Sequence, residues 1–185
     1  MSEEIFVIQA LSTGPDGFPY DEIADIAVCT VDLEKNVYRT VYHNLIYYDP
    51  RHLGKRKLDY LYATGGISPE EIYAGDPERK VAEEVLKIIG GKEIATFESK
   101  QEFGRYMSFD PWDITYRSTV MPSVSSKMPI SLKCRDPSDE PVTIRKAYRR
   151  LLKNDPAQVG TGRRSIHLAQ MTSELMIHMR GKGKY

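Results

Sequence analysis

Residues 5–14 constrain the fold more than any other segment, because a nearly continuous apolar run there ends at a turn of small residues. The run is rich in β-branched side chains, which suits a strand that is buried on both faces. Glycine and proline, the residues that punctuate turns, then occur at Gly14, Pro15, Gly17 and Pro19. The segment therefore predicts a central strand over residues 4–11, followed by a tight connection to the next element.

The remaining periodicity predicts two more strands, and then helices that alternate with a short strand. The further strands are predicted over residues 22–32, 36–48 and 93–97. The helices are predicted over residues 77–89, 99–107, 143–153 and 164–180, with Ser99 as a cap. The short polar link at residues 32–36 favours an antiparallel hairpin. The pattern predicts one α/β domain over residues 1–180, a flexible loop over residues 121–141 and a basic tail over residues 181–185.

Composition narrows the classes of protein to which the chain can belong. Acidic and basic residues number 26 each, so no global charge draws the chain to nucleic acid or to a membrane. No apolar stretch approaches the roughly 20 residues that a membrane span needs, and the acidic N-terminus does not resemble a secretion signal. Cys29 and Cys134 form no CxxC motif. They could pair, but the pattern favours a reduced, intracellular protein of the cytoplasm.

Several short motifs, in a consistent order, resemble those of one nuclease family. They lie at residues 9–14 (Gln-Ala-Leu-Ser-Thr-Gly), 21–27 (Asp-Glu-Ile-Ala-Asp-Ile-Ala), 65–72, 97–102 and 163–176. With these segments the chain resembles the DEDD (DnaQ-like) 3′–5′ exonucleases over residues 4–180. The resemblance implies a ribonuclease H-like α/β fold, in which a mixed sheet with antiparallel first strands is flanked by helices.

The same resemblance implies a catalytic site whose ligands this chain lacks. In the family, four carboxylates hold two Mg²⁺ or Mn²⁺ ions that activate water and stabilise the leaving oxygen. The corresponding positions are Gln9, Leu11, Glu102 and Leu168, and the general-base histidine corresponds to Arg163. An amide offers a neutral oxygen, leucine offers none, and arginine stays charged. We therefore expect no catalytic residues, no bound metal ion and no other cofactor.

Neighbouring residues could in principle replace the missing ligands. Glu98 precedes Glu102 by one helical turn, but it is expected at a strand end, facing solvent. His167 adjoins Leu168 and is interpreted as a histidine on the helix surface or between helices. A shifted alignment could instead use Glu3, Glu4 or Asp16. An active, metal-dependent 3′–5′ exonuclease with non-standard ligands is therefore kept as the less favoured alternative.

Basic residues near the C-terminal end form a candidate surface for nucleic acid. The candidates are Arg145, Lys146, Arg149, Arg150, Lys153, Arg163 and Arg164. Their helical spacing groups several on one face, where each phosphate contact would add salt-dependent affinity. The alternative interpretation is an ordinary solvated helix face.

Two classes of function remain open at this point. The first is a catalytically inactive exonuclease-like domain, retained to bind single-stranded DNA or RNA or to serve as an accessory subunit. The second is a protein-interaction module within a larger assembly, without nucleic-acid binding. The basic segments at residues 51–57 and 181–185 are expected to be flexible and suit either function. No membrane partner is expected.

Overall fold

A five-stranded sheet lies at the centre of the fold in a computed structural model, which describes residues 4–132 and 142–185. The strands are β1 Ile5–Ser12, β2 Ile23–Asp32, β3 Val37–Leu45, β4 Glu93–Ala95 and β5 Thr119–Val120. Their spatial order is β3-β2-β1-β4-β5. The pairs β1–β2 and β2–β3 are antiparallel, whereas β4 is parallel to β1 and β5 to β4. The predicted hairpin and the mixed sheet are confirmed.

Eight α-helices accompany this sheet within the described residues. They are α1 Pro50–Leu53, α2 Lys55–Gly65, α3 Pro69–Tyr73, α4 Glu78–Ile89, α5 Ser99–Glu102, α6 Ile114–Arg117, α7 Ile144–Leu152 and α8 Ser165–Arg180. The helices predicted over residues 77–89, 143–153 and 164–180 correspond to α4, α7 and α8. Thr143 caps α7 by accepting a hydrogen bond from Lys146 N.

Both faces of the sheet are covered, which explains why β1 lacks a clear alternation of apolar and polar residues. On one face, Ile5 and Val7 share a core cluster with residues of α7 and α8. On the other face, Phe6 and Ile8 share a cluster with α4. All ten residues of β2 are buried as well. The first five residues of β1 are therefore buried between two layers of helices, whereas Ala10, Leu11 and Ser12 at its end are half-buried.

Residues 51–57 are helical, so the prediction of a flexible basic insert is wrong. They lie in α1 and in the first turn of α2. Asp49 caps α1 through Arg51 N, and Gly66 ends α2 in a left-handed conformation with φ of 64°. The sequence did not indicate these helices, because Gly54 interrupts them and the many charged residues obscure their apolar periodicity.

The segment after β4 also differs from its prediction. The predicted helix over residues 99–107 is α5 followed by a π-helix, Phe103–Met107. Glu98, not Ser99, holds the N-cap position, and the Ser99 hydroxyl pairs with Ser123 Oγ at 2.8 Å. The Ser99 hydroxyl therefore links the start of α5 to the segment that follows β5.

The predicted flexible loop is structured over the part of it that is described. Two 3₁₀ helices, Val124–Lys127 and Ile130–Leu132, follow β5. Val124 N donates to Thr96 O at 3.1 Å, which holds this segment against the chain after β4. The rest of the predicted loop, with Cys134, lies outside the described residues.

No helix within residues 4–132 and 142–185 combines the length and the apolar character that crossing a lipid bilayer requires.

Candidate active site and nucleic-acid interface

Gln9 is fully buried on the face of the sheet that α8 covers. In the amide orientation that satisfies both of its ends, Nε2 donates to Glu102 Oε1 at 3.0 Å. Its Oε1 accepts from Phe97 N at 2.8 Å and from Thr96 Oγ1 at 3.1 Å. The side chain thus links β1 to the segment after β4 through hydrogen bonds of a neutral amide. Its two polar ends are used within the protein.

Glu102 is the acidic residue among the four positions that the family resemblance assigns to metal ligands. Its Oε2 atom is buried and has no hydrogen-bond partner within the described part of the chain. Burial raises the pKa of this carboxyl from 4.5 to about 8, because the charged form is poorly solvated. Hydrogen bonds lower the pKa by smaller amounts, and the nearby Glu98 raises it further. At neutral pH the protonated form therefore predominates.

Glu98 was expected to face solvent, and this prediction is wrong. The side chain is half-buried and accepts hydrogen bonds from Ser123 Oγ at 3.3 Å and Ser125 Oγ at 2.8 Å. The 3₁₀ segment that follows β5 brings these hydroxyls to the strand end. The Glu98 oxygens are thus occupied by neutral donors.

Leu11 and Leu168, which stand at two of the ligand positions, both pack against apolar side chains. Leu11 packs against a cluster that includes Leu61 and Ile67. It lies so near α2 that a Cβ on Gly65 would be 2.7 Å from Leu11 Cδ1. Leu168 packs at the edge of the core cluster beneath α8. Both side chains stabilise the core where an acidic residue would need compensation for its charge.

This set of side chains does not fit two divalent metal ions. Mg²⁺ and Mn²⁺ prefer several anionic oxygen ligands in an open, regular arrangement. Here one carboxyl is buried and favours its protonated form, one amide is fully hydrogen-bonded, and two positions are leucine. Among residues 4–132 and 142–185, no three His, Cys, Asp or Glu side chains are grouped closely enough to hold a metal ion.

Asp25 is a buried acidic residue to which the sequence analysis gave no role. It lies in β2 directly opposite Leu11. Its Oδ1 is 2.8 Å from His43 Nε2, and its Oδ2 accepts from Ser165 N at 2.9 Å. The carboxylate therefore joins β2, β3 and the N-terminus of α8, where negative charge is favourable. An aspartate within an otherwise apolar strand was the signal in the sequence.

His167 lies on the first turns of α8, close to this group. Its Nδ1 is 3.2 Å from Thr161 Oγ1, and a Cβ on Gly160 would overlap the ring. Burial lowers the pKa of His167, which favours the neutral imidazole. The histidine therefore packs against the loop that enters α8, as in its interpretation as a histidine between structural elements.

The predicted basic residues fall into an exposed group and an enclosed group. Three of them, Lys146, Arg149 and Arg150, are exposed and fall within an arc of about 100° on α7. They face away from the buried Ile144, Ala147 and Tyr148. Lys153 is also exposed and is the C-cap residue that follows the helix. Arg163 is exposed and Arg145 is half-buried.

Arg164 differs from the others, because its guanidinium is engaged within the protein. Its Nη2 donates to Glu71 Oε1 at 2.8 Å and to Gly66 O at 2.9 Å. The ion pair joins α8 to α3. Only a small part of this side chain, 17%, is exposed, so little of its charge reaches the surface.

The position of α7 is fixed by one acidic residue of α8. Glu174 accepts hydrogen bonds from Tyr148 at 2.6 Å and from Tyr38 at 2.8 Å. At 1.5 Å per residue, Glu174 lies about 9 Å farther along α8 than Leu168. The exposed basic face thus lies on the same side of the sheet as α8, near Tyr38, whose neighbours across the sheet, Val31 and Ile5, mark the start of β1. The methionines of α8, Met171, Met176 and Met179, are buried in the core cluster on this face of the sheet.

A cleft of about 410 Å³ opens where β1 ends and α2 passes over it. Its walls include Thr13, Gly14, Arg56 and Tyr60. The loop that forms one side is held by Arg105 and Tyr106, which donate to Pro15 O at 2.9 Å and Gly14 O at 2.7 Å. The cleft combines an aromatic ring and a cation with accessible backbone at the end of β1.

No protein-family model matches the sequence, and no curated protein sequence matches it either. Solved structures do match. A 3′-exonuclease described for 3′-end recognition of a histone mRNA stem-loop has 14% sequence identity and a TM-score of 0.69, covering 98% of this chain and 83% of its own. The nuclease domain of 3′hExo, a DEDDh family member bound to rAMP, has 15% identity and a TM-score of 0.56, covering 98% and 92%.

Escherichia coli Exonuclease I in complex with an oligonucleotide has 11% identity and a TM-score of 0.67. The match covers 98% of this chain but only 41% of that enzyme, so this chain spans less than half of its length. At such identities the likeness concerns the fold, and it agrees with the mixed sheet and flanking helices described above. The chain therefore has the ribonuclease H-like α/β fold of the DEDD (DnaQ-like) 3′–5′ exonucleases.

Proposed function

We propose that this chain is a catalytically inactive exonuclease-like domain that binds single-stranded nucleic acid, alone or as an accessory subunit. The observation that carries the proposal is the buried pair of Gln9 and Glu102, 3.0 Å apart. This pair closes the end of β1 with a neutral amide and a carboxyl that holds its proton at neutral pH.

Inactivity is supported by what two-metal hydrolysis requires. That reaction needs anionic ligands for both ions and a group that removes a proton from water. Leu11 and Leu168 contribute to the core instead, and the guanidinium of Arg163 has donors but no acceptor for a proton of water. A single carboxyl that favours its neutral form cannot supply the missing negative charge.

Binding is supported by the charges that remain on the same layer of the molecule. The exposed cations of α7 can contact phosphates, and the neutral pair beneath α8 repels a polyanion less than four carboxylates would. The cleft beside Tyr60 offers a ring to a base, whereas its cation, Arg56, lies 3.6 Å from Asp16 and the lining also includes Asp59. Structures of similar fold have been solved with an RNA stem-loop or with oligonucleotides.

Fluorescence anisotropy with oligothymidylate and oligouridylate of about 20 nucleotides tests binding directly. Replacing both Arg149 and Arg150 by glutamate should weaken binding and reduce the dependence of log K on log salt by about 0.7 for each lost contact. The matched control reverses the charges of Lys87 and Lys92, which are exposed on and after α4 at the opposite face of the sheet. If neither oligonucleotide binds at low salt, the nucleic-acid proposal is wrong.

Incubation of the same oligonucleotides with Mg²⁺ or Mn²⁺ tests catalysis. The expected result is no shortening from the 3′ end. Metal-dependent trimming by the wild-type chain, lost in Glu102→Ala, would show instead an active exonuclease with non-standard ligands. Absence of both binding and cleavage would favour a protein-interaction module.

A further inference from the structure

A second cleft, of about 450 Å³, lies beside the start of β2, with residues of α1 and α2 in its lining. Its lining includes three ring-bearing side chains, those of Tyr47, Tyr48 and His52. Tyr48 forms part of the lining and is oriented by its hydroxyl, which donates to Ile23 O at 2.9 Å. Glu22 and Asp49 add two carboxylates to the same lining.

The rings of this cleft are accessible to a partner. Tyr47 is 40% exposed, and its ring lies 5.5 Å from that of Tyr73, which is 58% exposed. Tyrosine rings carry a negative face that attracts ammonium and guanidinium groups within about 6 Å of the ring centre. A pair of exposed tyrosines beside carboxylates is therefore suited to a cation.

Of the two carboxylates that line the cleft, one is paired with a cation and the other is not. The Asp49 carboxylate is paired with Arg51 at 2.7 Å, and Lys57, which also lines the cleft, is 3.4 Å from the buried Asp21 and donates to Tyr20 O. In contrast, no cationic side chain of the described residues lies within 4 Å of the Glu22 carboxylate.

The pKa of the nearby Glu78 is also affected by the negative charge of Glu22. Burial raises the pKa of its carboxyl, and the charge of Glu22 raises it further. Its hydrogen-bond donor is the Trp112 indole, at 2.9 Å, which carries no charge. A cation placed beside Glu22 would relieve the repulsion between these two carboxylates.

We propose that this cleft binds the basic side chain of a lysine or arginine presented by a protein partner. The Glu22 carboxylate pairs with the cationic group, while Tyr47 and Tyr48 contact its face and its aliphatic stem. This surface is separate from α7, so the proposal does not depend on nucleic-acid binding, and each can fail without the other.

Amide NMR of the full chain, titrated with small capped peptides, tests the proposal. The probes are acetyl-Ala-Lys-Ala-amide, its arginine analogue and the uncharged acetyl-Ala-norleucine-Ala-amide. The basic peptides should shift the amides of Tyr47, Asp49 and His52 in a saturable way that weakens with salt, and the norleucine peptide should not. Failure of both basic peptides, or equal shifts with norleucine, overturns the proposal.

Two variants localise the effect. Glu22→Gln keeps the shape of the side chain and should weaken binding about fivefold, the effect of one exposed charge pair. Glu83→Gln, the same change on the exposed face of α4, should leave binding unaltered. Equal affinity of wild type and Glu22→Gln would contradict the assignment of the cation to this carboxylate.

Discussion

The carboxyl group of Glu102 combines a hydrogen bond to β1 with a raised pKa. One of its oxygens accepts a hydrogen bond from Gln9, and the other is buried without a partner among the residues described. Such a position disfavours ionisation, because neither water nor a cation solvates the charge. The folded chain therefore keeps this carboxyl protonated at pH values well above the usual pKa of glutamate. Because the unfolded chain does not, folding stability depends on pH.

The stability of the wild-type chain should fall as pH rises between about 4.5 and 8. In this range an unfolded chain releases the Glu102 proton while the folded chain, with a pKa of about 8, keeps it. The free energy of unfolding then decreases by up to about 1.4 kcal/mol per pH unit, and the decrease ends above the folded pKa. Glu102→Gln removes this titration and should flatten the profile.

Urea denaturation at several pH values between about 5 and 8 measures this effect. Glu83→Gln serves as the control, since Glu83 is exposed on α4. If the wild type and Glu102→Gln lose stability in parallel as the pH rises, the assignment of the proton to Glu102 is wrong.

At the scale of whole elements, α8 is held at the sheet by polar contacts as well as by its buried methionines. Its first residue, Ser165, donates its N–H to Asp25 of β2, and Glu174 accepts from Tyr38 of β3 and Tyr148 of α7. An N-terminal carboxylate opposes the positive end of the helix dipole and satisfies a free N–H group. These contacts fix where α7, with its exposed cations, lies over the sheet.

Replacing Asp25 by asparagine should loosen the start of α8. The change keeps the size of the side chain but removes the charge that His43 and the helix N-terminus share. Loss of such a buried interaction costs about 1–3 kcal/mol. Hydrogen exchange of the amides in the first turns of α8 should accelerate, and the denaturation midpoint should fall.

Asp59→Asn is the matched control for this prediction. Asp59 forms an exposed ion pair with Lys55 on α2, a type of contact that contributes about 0–1 kcal/mol. An equal loss of stability in the two variants would show that the buried contacts of Asp25 stabilise the fold no more than an exposed ion pair does.

For the molecule as a whole, the neutral Gln9–Glu102 pair predicts stability that does not depend on divalent cations. A ligand that binds only the folded state at 100 times its dissociation constant adds about 2.7 kcal/mol. With one buried carboxyl at the positions where four would be needed, no such gain is expected from Mg²⁺. The melting temperature should therefore be the same in about 10 mM MgCl₂ and in NaCl of equal ionic strength.

Differential scanning fluorimetry provides this comparison, and EDTA should likewise have no effect. A rise of about 5 °C or more with Mg²⁺, absent in Glu102→Ala, corresponds to binding of a few kcal/mol. That result would contradict both the neutral pair and the proposed inactivity.

The course of the chain could be predicted where local patterns agree with the fold. The strands β1 to β3 and the helices α4, α7 and α8 follow from apolar periodicity and from turn residues. The two-residue strand β5 was missed because such a short pairing has no sequence pattern of its own. The basic segment at the start of α2 was misassigned because its charged residues are exposed and only Leu61 and Gly65 of the helix are buried.

The sequence alone predicts the succession of the main strands and helices, β1 to β4 with α4, α7 and α8, and it shows Gln9, Leu11 and Leu168 where the family resemblance places acids. What these residues do depends on the tertiary structure. Glu102 holds a proton because the fold buries its carboxyl, next to Gln9 from the distant strand β1, and Arg164 is engaged because Glu71 lies beside it. Protonation and accessible charge depend on burial and on contacts between distant segments, and no local pattern encodes these.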